Sequence, residues 1–141
     1  MSRKDTIEIQ AARDVRFTEV MRCALTAGEY AGNYCQPTAM KVFQHGTDPA
    51  KGEIVNEGVC GFAWVSIKPA TSSFCKWLKS LPDNHELKES IGIHRGYYGG
   101  LELWCQLFGQ SHERKRAWAK AVAKVLQNHG IDRAFADDRL D

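Results

Sequence analysis

GLELWCQLFGQSHERKRAWAKAVAKVLQNHGIDRAFA, residues 100–136, decides the fold. Its first residues alternate. Leu101, Leu103, Cys105 and Leu107 point one way; Glu102, Trp104, Gln106 and Phe108 point the other, the period-two pattern of a strand. Gly109 and Gln110 turn the chain, and Ser111 is placed to cap a helix. Over 112–129 the apolar residues Ala117, Trp118, Ala121, Val122, Val125 and Leu126 recur on one face at helical spacing. Gly130 followed by Ile131 fits a helix C-terminus. Residues 131–136 read as a last strand, with DDRLD as a tail. Strand, helix, strand in that order reads as a βαβ unit with its two strands parallel.

The rest of the chain fits around this unit. Residues 57–68, EGVCGFAWVSIK, are the strongest strand, with Val59, Ala63, Val65 and Ile67 on one face and Cys60, Phe62 and Trp64 on the other. Two apolar faces predict a central strand covered on both sides. Thr71 or Ser72 can cap a short helix, SSFCKWLKSL, that turns Phe74, Trp77 and Leu78 inward. HELKES adds a helical turn, and IGIHRGYYGG reads as a loop. Near the N-terminus, 14–28 fits a helix with Phe17, Val20, Met21, Ala24 and Leu25 on one face, starting as early as Asp5 and ending at Gly28. Residues 29–56 are turn-rich, with one short strand within TAMKVFQ. The expectation is a single domain over 1–141 of α+β or small α/β class, with a three- to four-stranded sheet. Its order is helix, an optional strand, then strand, helix, strand, helix, strand.

Composition bounds the function. The chain has 141 residues, 43% hydrophobic and 26% charged, the ordinary balance of a globular protein. A formal charge of +2 is too small to argue for nucleic acid unless it is concentrated locally. No apolar run reaches membrane-spanning length, and the N-terminus lacks the apolar stretch of a signal peptide, so the expected location is the cytoplasm, with no membrane partner. The five cysteines (23, 35, 60, 75 and 105) form no CxxC pair and read as free, mostly buried thiols of a reducing compartment. The histidines show no metal-ligand spacing, and no nucleophile-elbow, zinc-protease or phosphate-loop pattern occurs. No cofactor is implied, and an enzyme, with a cysteine paired to a histidine base, is the weakest expectation.

Three constellations remain. Arg114, Lys115 and Arg116 crowd the positive end of a helix, where each cation costs about 0.3–1 kcal/mol unless something negative answers it. Arg116, Lys120 and Lys124 fall on the solvent face, but Arg114 lies in the sector of the core. A phosphate held by Ser111, Arg114, Lys115 and backbone N–H groups would answer it. So would the chain's own Asp137, Asp138 or Asp141, since the last strand of a βαβ unit returns to the helix start. The second constellation is His94, Arg95, Tyr97 and Tyr98 among glycines. It suits base stacking beside a phosphate, or a tight turn with its tyrosines packed at the sheet edge. The third is Phe62, Trp64, Trp104 and Phe108, expected on a sheet face covered by the N-terminal helix or by a second copy; left open, such a face would resemble an RNA-stacking platform.

Gly61-Phe62-Ala63-Trp64, Tyr98-Gly99-Gly100, Gln110-Ser111 with Lys115, and Arg139-Leu140-Asp141 together resemble the motifs of a group of small, functionally uncharacterised proteins of phages and prophages. The likeness covers roughly the last 85 residues and implies a phage-type accessory protein in the host cytoplasm. The expected function is therefore non-catalytic binding of a nucleotide or nucleic acid at the start of helix 111–129. The alternative is a protein-interaction module that blocks a host protein. Self-association into an oligomer is compatible with either.

Overall fold

A computed structural model of the chain describes residues 2–141, apart from the side chain of Pro49. The first element, α1, spans Arg3–Tyr34. Ser2 and Asp5 cap it reciprocally, each side chain meeting the other's backbone N–H. The expected stripe of Phe17, Val20, Met21, Ala24 and Leu25 is buried, but Gly28 does not end the helix. It continues the stripe, and Gly32 adds one more turn. A Cβ on Gly28 would lie 2.7 Å from both Trp118 and Val122, and one on Gly32 would lie 2.2 Å from the Phe108 ring. Both glycines are contact points for another element, and this tertiary demand overrides their low helix propensity.

The turn-rich segment holds a small antiparallel hairpin, β1 (Met40–Val42) with β2 (Glu53–Val55). The main sheet follows: β3 (Gly61–Ile67), β4 (Ile91–Arg95), β5 (Leu101–Cys105) and β6 (Ala134–Leu140), in the spatial order β4-β5-β3-β6, every neighbour antiparallel. Between them run α2 (Ser73–Ser80), capped by Ser72, a 3₁₀ turn at Glu86–Lys88, and α3 (His112–Asn128), capped by Ser111. The fold is α+β with a four-stranded sheet. From β3 onward the connectivity is that of the split βαβ, or ferredoxin-like, arrangement.

Three expectations change here. β5 and β6 do run the same way, as a βαβ crossover requires, but β3 lies between them and pairs with both. The segment IGIHRGYYGG is a strand plus a tight turn, with Gly96 and Gly100 closing the β4–β5 hairpin and Gly99 and Gly100 at positive φ. Residues 137–140 are no tail: β6 starts at Ala134 and runs through Asp137, Asp138 and Arg139 as an edge strand. Its charges suit an edge, because they discourage a further strand from pairing there.

The core lies on one face of the sheet. Ala63, Val65 and Ile67 of β3, with Leu101, Leu103 and Cys105 of β5, are buried against Trp118, Ala119, Val122, Ala123 and Leu126 of α3. α1 packs antiparallel beside α3, Gly28 against Trp118 and Val122 and the carbonyl of Gly32 against Arg114, and α2 closes the same layer through Phe74, Trp77 and Leu78. Among the described residues no helix lies on the other face. The central strand β3 is therefore covered on one side, not two.

Candidate nucleic-acid interface

At the start of α3 the sequence posed an electrostatic question, and the fold answers it from a distance. Arg114 Nε donates to Glu57 Oε2 at 2.5 Å and a terminal nitrogen meets Oε1 at 3.3 Å. The other terminal nitrogen donates to the carbonyls of Gly32 and Asn33 at 2.8 and 2.9 Å. Those carbonyls belong to the end of α1, whose last turn has no basic residue of its own. Arg114 thus supplies the cation that the negative end of α1 lacks. The hydrogen bond and charge of Glu57 hold its guanidinium protonated beyond the usual range. Ser111 is engaged as well: its hydroxyl accepts from Arg114 N–H at 3.4 Å and donates to the Glu57 carbonyl at 2.9 Å. The C-terminal acids do return to the helix start, as expected, but not to Arg114. Asp138 pairs with His112 at 2.8 Å and with Arg116 at 3.5 Å rather than with Arg114.

Lys115 takes a third course. It is buried, yet its aliphatic stem carries the ammonium to 5.3 Å from the centroid of Phe62, a side chain of the uncovered sheet face. That face is built by the alternate residues of the four strands. β3 contributes Phe62, Trp64 and Ser66; β5 contributes Glu102 and Trp104; β4 contributes His94; β6 contributes Phe135, Asp137 and Arg139. Trp64 and Trp104 are direct cross-strand partners, and their rings stack at 4.6 Å with 12° between planes. Phe62 tilts against Trp104 at 5.8 Å, and His94 meets the same ring edge-on at 6.0 Å. The Arg139 guanidinium lies over both Phe62 and Trp104, at 5.1 and 5.6 Å from the centroids. The Trp104 indole N–H donates to Glu102 at 3.0 Å, which fixes the ring.

Of the expected aromatic set, Phe108 is elsewhere, packed over Gly32 of α1 with a positive φ of 67°. Phe135 stands in its place, 56% exposed. The tyrosines of the β4–β5 turn do not pack at the sheet edge: Tyr97 and Tyr98 are 90% and 85% exposed and meet edge to face at 4.9 Å. Arg95 is exposed at the end of β4 beside them. His94, Arg95, Tyr97 and Tyr98 thus gather at the end of the sheet opposite Lys115 and Arg139, as an antiparallel β4–β5 pair requires.

Among the described residues no cysteine is hydrogen-bonded to a histidine; the thiols of Cys75 and Cys105 bond to backbone carbonyls. All five are free, but only Cys75 and Cys105 are buried; Cys23 and Cys60 are exposed. Burial pushes the Cys105 thiol up to about 11 and raises Cys75 as well, which suppresses thiolate at neutral pH. Among the described residues no group of three His, Cys, Asp or Glu side chains is close enough to hold a metal ion, and no helix is long and apolar enough to cross a membrane.

Arg139 and Phe135 are the face residues that sequence reading missed: Arg139 lies beyond the expected strand 131–136, and Phe135 lies within it but its face was not assigned. The signal was present: Phe135, Asp137 and Arg139 alternate with Ala134, Ala136 and Asp138. Comparison with protein-family models, with curated proteins and with solved structures finds no match.

Proposed function

We propose that this chain is a non-catalytic accessory protein of phage type that binds single-stranded nucleic acid on the open face of its sheet. One observation carries the reading: Phe62, Trp64 and Trp104, on the two central strands, stand side by side on a face that no helix covers, with two cations laid over them. Aromatic rings on the central strands of a four-stranded sheet are how one common class of RNA-binding module stacks bases. Every base has a π-face, so such a platform tolerates many sequences, and nearby cations meet the phosphates. The anionic ligand expected at the start of α3 is reassigned on this reading. Ser111 and Arg114 are engaged within the protein, and Lys115 is the member of that trio that reaches the platform. His94, Arg95, Tyr97 and Tyr98 extend it at the far end. The phage-type part of the proposal rests on the resemblance of the last 85 residues.

Fluorescence anisotropy with labelled ten-nucleotide DNA and RNA strands tests it. Binding should weaken as salt rises, and Trp64→Ala or Trp104→Ala should each weaken it about 5- to 150-fold, the loss of one stacked base at about 1–3 kcal/mol. Absence of binding at low salt, or binding indifferent to both substitutions, would overturn the assignment. A dimer in light scattering that Trp64→Ala dissociates, with no oligonucleotide binding, would put a second copy on the face instead.

A further inference from the structure

At the opposite end of β3 from Phe62, on the helical side of the sheet, lies a cavity of about 420 Å³, within the range of small-molecule sites. α1, the β3–α2 junction and the α3–β6 junction enclose it. Its floor is apolar: Phe17 and Phe74, edge to face at 5.2 Å, together with Ile67. Its rim is cationic. Arg16 comes from α1, Lys68 follows β3, and Arg133 precedes β6, with His129 at the end of α3. Asp132 is the one carboxylate in the wall. None of Arg16, Lys68 or Arg133 is in an ion pair among the described residues, whose pairs all lie elsewhere.

Three cations against one carboxylate leave a local surplus of two in the wall. Like charges gathered there repel one another, and their repulsion weakens when an anion enters. A phosphate monoester carries about −1.5 to −2 at neutral pH, which matches the surplus. We propose that the cavity binds a small phosphorylated ligand with a flat apolar body, the chemistry of a nucleoside monophosphate. The ring lies on Phe17, Phe74 and Ile67, the phosphate meets Lys68, Arg133 and Arg16, and the hydroxyls of Ser72 and Ser73 add donors at the rim. The site is independent of the stacking platform, which lies on the other face of the sheet.

Isothermal titration of the full chain with AMP, adenosine and inorganic phosphate, at low ionic strength, tests the proposal. AMP should bind, and adenosine and phosphate should each bind about tenfold or more weakly, because each fills half of the site. Lys68→Glu with Arg133→Glu should weaken AMP about tenfold or more, while Trp64→Ala leaves it unchanged. Circular dichroism verifies the fold of each variant, and Arg133→Gln serves as a milder substitution that should act in the same direction. No binding of AMP, GMP, CMP or UMP up to about 5 mM would overturn the site. So would AMP affinity that survives the double charge reversal, or that falls with Trp64→Ala alone; the last outcome would move the mononucleotide to the platform and leave the nucleic-acid reading standing.

Discussion

On one face of the four-stranded sheet Ala63, Val65, Ile67, Leu101 and Leu103 are sealed beneath the helices; on the other, one residue along on each strand, Phe62, Trp64 and Trp104 are only partly buried. Both faces carry large apolar residues on the central strands, so the presence of such residues alone does not say which face is buried. Side-chain shape does. The sealed face uses small and branched aliphatics that fit the ridges of a helix. The open face uses flat rings that bury area against each other and leave their remaining surface to solvent. Arg139 and Lys115 then cover part of that surface without closing it. A sheet face can therefore be apolar, ordered and uncovered at once, which is what a stacking surface needs.

The largest test of this contrast is a pair of truncations. Leu103 is fully buried, and Leu103→Ala should lower stability by about 2–5 kcal/mol in urea unfolding. Trp64→Ala removes a larger side chain, yet it leaves no sealed cavity. It should cost nearer the value of a stacked pair, about 0.5–1.5 kcal/mol, and show its main effect on oligonucleotide binding. Equal losses of stability would mean that the two faces are not different in kind.

Cys105 carries the sealed side of the contrast over to a titratable group. Cys105 is buried on the sealed face, and its thiol is pushed from 9.0 to about 11. In the unfolded chain it ionises near 9.0, before the folded protein allows it to. The stabilising contribution is therefore whole below pH 9 and lost as pH rises toward 11, by up to roughly 2–3 kcal/mol. Urea midpoints measured from pH 8 to 10.5 should fall more steeply for the wild type than for Cys105→Ala. Parallel slopes for the two proteins would show that the thiol does not report burial.

Much of the sealed side is legible in the sequence, because its signals are local and periodic. The stripe of α3, the alternation of β3 and β5, and the Ser72 and Ser111 caps are where the residues say they are. What escapes notice depends on partners far along the chain. Gly28 reads as a helix stop, and only the approach of Trp118 makes it a helix interior. β4 is short, holds a glycine and joins a glycine-rich turn, so it reads as loop until β5 pairs with it. The charged run at the C-terminus reads as a tail, although an edge strand tolerates such charges. The partner of Arg114 is Glu57, in the turn-rich segment, and nothing near Arg114 points to it. The platform residues Phe62, Trp64 and Trp104 are legible as a set; that nothing covers them is a property of the topology.

The seal itself depends on α1 sitting close to α3, and Gly28 sets that distance. Adding a methyl group there would gain up to roughly 1 kcal/mol in helix propensity. It would also press on Trp118 and Val122, both fully buried, at a cost of about 1–3 kcal/mol. Gly28→Ala should therefore be destabilising on balance in thermal unfolding, without changing oligonucleotide affinity, since the platform lies on the far side of the sheet. A stabilised variant would mean that the helix crossing is looser than this geometry requires.

The smallest effect concerns the helix start, where structure and binding were hardest to tell apart. Ser111→Ala removes the cap of α3 and leaves the Glu57 carbonyl without its hydroxyl donor, a combined loss of about 1–2 kcal/mol. If Ser111 is structural, that loss should be the same with and without phosphate, and Ser111→Thr, which keeps the hydroxyl, should recover part of it. If the wild type is instead stabilised by phosphate at millimolar concentrations and Ser111→Ala is not, the anion sits at the start of α3 after all. That result would transfer Ser111 and Arg114 from scaffold to ligand site, with the pairing of Arg114 to Glu57 becoming the contact that an incoming phosphate displaces.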